Sequence, residues 1–232
     1  MAKPKATHDA PYEPEAPAVL AVDVGGSHVK LLLNGDSDRR RFVSGKRLTA
    51  EQMVTRVIDL AEGLAYDRVT VGVPAPVLAG RVVREPFNLG KGWAGFDYQS
   101  AFGKPTKLIN DAAMQALGSY QGGRMLFLGL GTGLGSTLVV DGTVVPMELG
   151  HLPFRKATFE DYVGGRGHAR LGDKRWRKAV LETIDLLVAA LEPEYVVLGG
   201  GNAAEIEELP PICRLGANED AFLGGFRLWV DP

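Results

Sequence analysis

Three apolar runs in this chain end in glycine, and that punctuation limits what the chain can become. AVLAVDVGG (18–26) leads into Gly25, Gly26 and Ser27. MLFLGLGTGLG (125–135) breaks at Gly131, Thr132 and Gly133, and YVVLGGGN (195–202) ends in Gly199, Gly200 and Gly201. Short runs of Val and Leu bounded by turn residues read as buried strands, so each glycine cluster falls where a strand stops. Glycine is in excess overall: 30 of 232 residues, about 13%, against a usual ~7%. No Gly-x-y period runs through them, which excludes collagen, and 45% hydrophobic residues exclude a disordered chain.

A glycine-rich turn can be a tight hairpin, where glycine supplies a positive φ. It can also be a concave nest of backbone N–H groups that suits phosphate oxygens. Three such turns at strand ends favour the nest, and Ser27 and Thr132 add hydroxyl donors. The standard nucleotide fingerprints fail on spacing. The Gly-Lys pairs at Gly45, Gly90 and Gly103 have neither the glycine five residues earlier nor the following Ser/Thr of a Walker loop. A Gly-x-Gly-x-x-Gly frame opened at Gly129 meets Leu134, and one opened at Gly131 meets Ser136.

The remaining pattern is α/β. HVKLLLNGD pairs with the first run as a hairpin closed by Asn34-Gly35. Thr49 and Gln52 form a capping box for a helix with Met53, Val57, Leu60 and Leu64 on one stripe. RVTVGVP is a strand stopped by Pro74; residues 75–103 are irregular. PTKLIND is a strand ending in Asn110 and Asp111, followed by a helix over 111–120. The second glycine run is again strand, turn, strand. A long helix from Asp173 carries Trp176, Val180, Ile184, Leu187 and Leu191. The repeated hairpin predicts two similar halves rather than one doubly wound sheet.

Bulk properties narrow the function. One cysteine, Cys213, allows no disulfide within the chain and no cysteine-rich zinc site, and reads as a small buried hydrophobe in a reducing compartment. A net charge of -2 and a pI near 6.1 lack the basic excess of a nucleic-acid or anionic-membrane binder. No apolar run approaches the ~18 residues of a membrane helix. The first 17 residues lack a signal-peptide core and carry four prolines, so a disordered tail and a cytoplasmic protein are expected.

DVGGSHVK (23–30), NDAAMQALG (110–118), GLGTGLG (129–135), ELGH (148–151) and VVLGGGN (196–202) together resemble the ordered motifs of ROK-family sugar kinases. These belong to the actin-like, hexokinase-like ATPase superfamily. Within the family, EPFNLGKGWAGFDY and LGHLPF are most similar to bacterial polyphosphate/ATP glucokinases. The resemblance covers about 18–229. It implies a two-domain actin-like ATPase (ribonuclease H-like) fold with a central cleft: a smaller domain over 18–109, a larger one over 110–217, and a C-terminal helix at 218–230 that returns to the first. It implies transfer of a phosphoryl group from ATP and/or polyphosphate to a hexose, foremost glucose, with Mg²⁺, in a homodimer.

By motif, Asp23, Gly25, Gly26 and Ser27 would form the first phosphate turn, with Asp23 near the Mg²⁺ ion. Gly131, Thr132 and Gly133 would form the second, and Gly199, Gly200 and Gly201 would border an adenosine pocket. Asn110, Asp111, Glu148, His151 and Glu160 would meet the sugar, with Asn88 and Trp93 lining its pocket. Lys30 has two readings, as a phosphate contact or as a solvated strand lysine. His8 and His28 carry no case, and His168 reads as solvated surface.

Chemistry supports the choice of Asp111. A sugar hydroxyl is a poor nucleophile at neutral pH, and a carboxylate at a strand end can take its proton during phosphoryl transfer. Asp111 is equally placed to be the N-cap of its helix. Glu148 and His151, three residues apart, can bond adjacent sugar hydroxyls and select which one faces the donor. Two departures stand out. The cysteine-rich zinc motif of many ROK proteins is absent, so His151 is free for the sugar. The usual Pro-Gly-Pro is Pro74-Ala75-Pro76, an added methyl expected to tighten the sugar pocket.

Other classes fit less well. A ROK repressor needs a DNA-binding module of roughly 60 residues ahead of the first turn, and only 22 residues precede Asp23. A catalytically inactive sugar sensor would be expected to lose Asp111 or a phosphate turn. Mannose, fructose or an N-acetylhexosamine remain alternative acceptors. For the donor, DKRWRK (Lys174, Arg175, Arg177, Lys178) and Arg155-Lys156 read as solvated faces or as a track for an anionic polymer; polyphosphate is expected beside or instead of ATP.

Overall fold

A computed structural model describes residues 17–217 and 219–230. The tail expected over 1–17 lies, Pro17 aside, outside the described residues. The chain opens with strand β1 (Val19–Val24), which turns at the first glycine pair into antiparallel β2 (His28–Leu33). A third strand, β3 (Arg40–Val43), pairs antiparallel with β2. The sequence pattern did not reveal it: RRFV is charged, and its residues are exposed or only half-buried, so it has no apolar alternation to read. Thr49 caps helix α1 (Ala50–Leu60) through the full capping box with Gln52. Met53 and Val57 are buried, while Leu64 lies beyond the helix end yet still packs on the same core.

Strand β4 (Arg68–Val73) pairs parallel with β1. The irregular stretch holds a two-residue hairpin, β5 (Val77–Leu78) and β6 (Arg81–Val82), and a short helix α2 (Tyr98–Phe102). Strand β7 (Thr106–Asn110) then pairs parallel with β4, completing the sheet order β3-β2-β1-β4-β7. The apolar content of VLAVDV and RVTVGV follows from that order, since β1 and β4 are interior strands buried along nearly their whole length.

Helix α3 (Asp111–Ser119) leads to the second sheet. Its strands are β8 (Arg124–Leu130), β9 (Leu134–Val140) and β10 (Thr143–Met147), joined as consecutive antiparallel pairs. A 3₁₀ turn (Leu149–His151), a small hairpin of β11 (Pro153–Phe154) and β12 (Ala157–Thr158), and helices α4 (Phe159–Val163) and α5 (Gly165–Leu171) follow. Helix α6 (Asp173–Leu191) buries Trp176, Val180, Ile184 and Leu187 against Leu126, Leu128, Val196 and Leu198 of the sheet. Strands β13 (Tyr195–Gly199) and β14 (Cys213–Leu215) close the order β10-β9-β8-β13-β14. The two sheets therefore repeat one plan: three antiparallel strands, then two parallel additions. Cys213 is half-buried on β14, and burial followed by the nearby Asp185 charge pushes its thiol up to about 11.

The last helix, α7 (Asp220–Arg227), packs back on β1, β4 and α3. The buried Thr70 hydroxyl donates to Gly225 O at 2.8 Å and accepts from the Trp229 indole N–H at 2.8 Å. Arg227 donates to the carbonyls of Leu117, Gly118 and Tyr120 at 2.7–3.1 Å, satisfying the open C-terminal end of α3. The two helices cross with backbone against backbone. A Cβ on Gly118 would lie 1.7 Å from Asp220 O, and one on Gly224 would lie 1.8 Å from Met114 O. Neither contact is with a flexible side-chain end, so Gly118→Ala must push the helices apart. The expected cost is about 2–3 kcal/mol, a melting temperature lower by roughly 4–12 °C, which a thermal melt followed by circular dichroism will measure.

Candidate active site

Parallel pairing of β1, β4 and β7 brings the carboxyl ends of all three strands to one edge of the first sheet. Asp23 stands near the end of β1, and Asp111 follows the end of β7. The helix N-cap is Asn110 and not Asp111: the Asn110 side chain accepts the Ala113 N–H at 3.1 Å, and its amide donates to Ala75 O at 3.4 Å. Asn110, expected to meet the sugar, thus has both ends of its side chain engaged with the backbone. Asp111 takes the first helical position, where its Oδ1 accepts the Ala112 N–H at 2.8 Å.

Electrostatics set Asp111 apart. Burial pushes its carboxyl up to about 7; the negative charge of Asp23 adds to the rise and Glu148 contributes further. Asp23 is raised too, chiefly by burial, although Lys30 opposes the rise. Lys30 is the cross-strand partner of Asp23, with Nζ 3.5 Å from its Oδ2. The lysine, which could be read as a phosphate contact or as solvated surface, therefore has a carboxylate partner.

The first glycine turn spans the gap between Val24 and Val29, closed by Gly25 N–H donating to His28 O at 2.9 Å. Asn88, from the irregular stretch, packs against it: a Cβ on Gly26 would lie 3.5 Å from Asn88 Cβ. In the second turn, the carbonyls of Gly131 and Thr132 accept the Gly165 N–H at 2.9 and 3.1 Å. The Asn202 side chain also donates to Gly131 O, at 3.3 Å. Gly200, at φ +81°, lies so close that a Cβ would sit 2.5 Å from Leu130 O. The turns at 131–133 and 199–201 are thereby one packed unit, tied by Asn202.

Glu160 sits against that unit. Leu134 N–H donates to its Oε2 at 3.4 Å, and a Cβ on Gly133 would fall 2.3 Å from the same oxygen. The carboxylate expected on the sugar is thus placed at the second turn. Glu148 and His151 flank the 3₁₀ turn 3.9 Å apart, with side chains 54% and 66% exposed. Gly135 meets Ala112, and Gly150 meets Leu134 O, so α3, the second turn and the Glu148–His151 segment abut.

Three expectations need correction. Trp93 does not line an open pocket: it is fully buried in the first core, and its indole N–H donates to Leu48 O at 3.2 Å. Trp93, read from sequence as a pocket wall, is the loop's anchor, helped by Glu85, which accepts the N–H groups of Gly92 and Trp93. Ala75 is buried in the same core, so its methyl packs inward instead of narrowing a substrate pocket. His168 is not simply solvated: it stacks on Trp176 at 4.1 Å and pairs with Asp173 at 2.8 Å.

Of the basic residues, Arg177 pairs with Glu207 at 2.8 Å and Arg155 pairs with Glu182. Lys174, Arg175, Lys178 and Lys156 are exposed. Two surface hollows, about 170 Å³ beside Arg124 and Glu194 and about 390 Å³ beside Phe42 and Arg56, are lined by none of the candidate site residues. Among the described residues no three His, Cys, Asp or Glu side chains cluster as a metal site, and no helix is long and apolar enough to cross a membrane. Sequence reasoning missed Glu85 and Asn202; Asn202 could have been found from its place directly after the glycine triplet.

No protein-family model matches the sequence. It is 25% identical over 221 residues to a polyphosphate glucokinase of Mycobacterium tuberculosis, covering 84% of this chain and 82% of that protein. The inorganic polyphosphate/ATP-glucomannokinase of Arthrobacter sp. strain KM matches with a TM-score of 0.79 at 24% identity, over 91% of this chain and 98% of that one. A ROK family glucokinase from Streptomyces griseus, solved with glucose and AMPPNP, gives 0.71 at 18% identity over 91% and 99%. The fold is that of these ROK-type sugar kinases. In sequence, the chain is similar to the polyphosphate glucokinases at 25% identity.

The raised carboxyl of Asp111 has a consequence for stability. Its folded-state value, about 7, lies above the ordinary 3.8 of the unfolded chain. Between those values the folded state binds the extra proton, so this group's contribution falls as pH rises from about 4 to about 7. Asp111→Asn removes that loss. Its melting temperature should exceed that of the unsubstituted protein by a margin that widens from pH 5 to pH 8; parallel melts across that range provide the check.

Proposed function

We propose that this chain is a hexokinase-type phosphotransferase that moves a phosphoryl group from ATP and/or polyphosphate to a hexose hydroxyl, with glucose to glucose 6-phosphate as its main reaction. The observation that carries the reading is Asp111: a carboxyl directly after the end of β7 that burial and the charge of Asp23 raise to about 7. A general base works best with a pKa near the operating pH.

In this mechanism Asp111 accepts the proton of the attacking hydroxyl as the bond to phosphorus forms. The N–H groups of Gly26, Ser27, Thr132 and Gly133, with the Ser27 and Thr132 hydroxyls, receive phosphate oxygens. Glu148 and His151 bond neighbouring sugar hydroxyls, Asn88 closes the first turn's side of the pocket, and Glu160 reaches the sugar from the second turn. Gly199, Gly200 and Gly201 border the adenosine when ATP is the donor. Mg²⁺ fits this acidic edge, because that ion is commonly held by one or two carboxylates together with substrate phosphates. Asp23 is the residue that would hold it; bound there, the ion would supply positive charge to the donor's phosphates. Lys30 tempers the charge of Asp23 in its absence.

The lobe boundary is placed at 109/110, with α7 joining the first lobe, so that closure over the hexose would exclude water from the transferred group. Polyphosphate use is supported by the exposed Lys156, Lys174, Arg175 and Lys178, a basic surface suited to a polyanion. A cytoplasmic homodimer is part of the same proposal and rests on the resemblance alone.

Glucose phosphorylation is to be assayed with ATP and with polyphosphate at matched phosphate concentration. Asp111→Asn should lower kcat by about 10²–10⁴-fold while glucose affinity stays within a few-fold; substantial residual turnover would remove Asp111 from the role of base. Activity in the unsubstituted enzyme should climb with pH to a plateau just above 7, as the carboxyl loses its proton. Activity with ATP alone, indifferent to neutralising Lys174, Arg175 and Lys178, would exclude the polyphosphate reading.

A further inference from the structure

The first glycine turn is held from behind by a residue that belongs to none of the motifs. Ser44 directly follows β3, and the β2–β3 register sets His28 opposite Val43. That register carries Ser44 beyond the ladder and alongside the turn. Its backbone N–H donates to Ser27 O at 2.9 Å, and its hydroxyl donates to Gly25 O at 2.6 Å. With Gly25 N–H already donating to His28 O at 2.9 Å, the carbonyls of Gly25, Ser27 and His28 are all engaged.

The planarity of the peptide unit gives these bonds a second effect. The Gly25 carbonyl and the Gly26 N–H share one trans peptide and point in opposite directions. A donor fixing Gly25 O therefore also fixes the direction of Gly26 N–H. The N–H groups of Gly26 and Ser27 find no backbone acceptor among the described residues. A Gly-Gly peptide is otherwise free to flip, because neither residue has a Cβ to bias φ and ψ. Lys30 and Asp23 cannot supply the restraint, since their contact is with each other.

We infer that Ser44 is a positioning residue for the phosphoryl donor: its hydroxyl latches the Gly25–Gly26 peptide so that Gly26 N–H stays turned toward the donor's phosphate oxygens. This rests on the kinase reading above. Ser44 touches neither sugar nor phosphate itself. Its effect should therefore appear in donor recognition and leave the hexose side alone.

The test compares Ser44→Ala, which removes the hydroxyl and keeps the N–H, with Ser44→Thr, which keeps both. Steady-state kinetics with glucose and the active donor are paired with calorimetric binding of tripolyphosphate and of glucose, and with thermal melts. Ser44→Ala should raise the donor KM and the tripolyphosphate Kd about tenfold, the worth of one hydrogen bond at an anion site. Glucose KM and Kd should move less than twofold, and Ser44→Thr should restore the donor values. Unchanged donor values in Ser44→Ala would overturn the inference. So would parallel loss of glucose and donor affinity, or a chain that no longer folds, because either assigns Ser44 to general stability. If the unsubstituted protein phosphorylates glucose with neither donor, it is the kinase reading that fails, and the tripolyphosphate arm still judges the latch.

Discussion

Like charges at one sheet edge are the constraint around which this molecule is organised. β1, β4 and β7 run parallel, so Asp23 and Asp111 both emerge at the strands' carboxyl ends, separated by the width of β4. Neighbouring strands lie about 4.8 Å apart, so β1 and β7 stand two spacings, about 10 Å, apart. Over that range buried carboxylates still feel each other's field. Such a pair costs stability unless something answers it. Lys30, held opposite Asp23 by the β1–β2 register, answers part; protonation of Asp111 near neutrality answers the rest. Under the proposed function, burial first and this unrelieved charge second give Asp111 its basicity.

The rest of the architecture keeps that edge in place without filling it. Asn110 caps α3 and ties the 74–76 segment to it, leaving Asp111 without a structural task. The opposite end of α3 is closed by Arg227 from α7, across a crossing so tight that neither Gly118 nor Gly224 has room for a methyl. Because α7 also rests on β1 and β4 through Thr70 and Gly225, the helix that carries Asp111 is braced from the sheet that carries Asp23. The second sheet contributes a glycine unit whose carbonyls are taken by Gly165 and Asn202, just as the first turn's carbonyls are taken by Ser44 and Gly25. Among the described residues, the N–H groups of Gly26 and Ser27 in the first turn and of Thr132 and Gly133 in the second are left without a backbone acceptor.

Much of this was legible in the chain itself. Strands ending in glycine, the Thr49 capping box and the stripe on α6 rest on local chemistry, and each appears where periodicity placed it. The repetition of strand, turn and strand foretold two sheets of one plan, because each hairpin carries its own turn signal. What could not be read was β3, whose residues make a strand only because β2 offers an edge. Nor could Trp93 be told from a pocket wall: an aromatic in a glycine-rich loop has the same local signature whether it faces substrate or core, and only the packing against Leu48 decides.

By itself, then, the sequence determined the kinds of element, their order, and the residue types whose chemistry suits phosphate and a hydroxyl. Short-range geometry suffices for that, since turns, caps and stripes are written within a few residues. The tertiary structure alone decided which of Asn110 and Asp111 caps the helix, that Ala75 faces inward, that Glu160 leans on the second turn, and that Ser44 stands behind the first. Those outcomes depend on residues far apart in the chain meeting across sheets and helix crossings, and burial and charge act on distance in space, which a linear pattern does not contain.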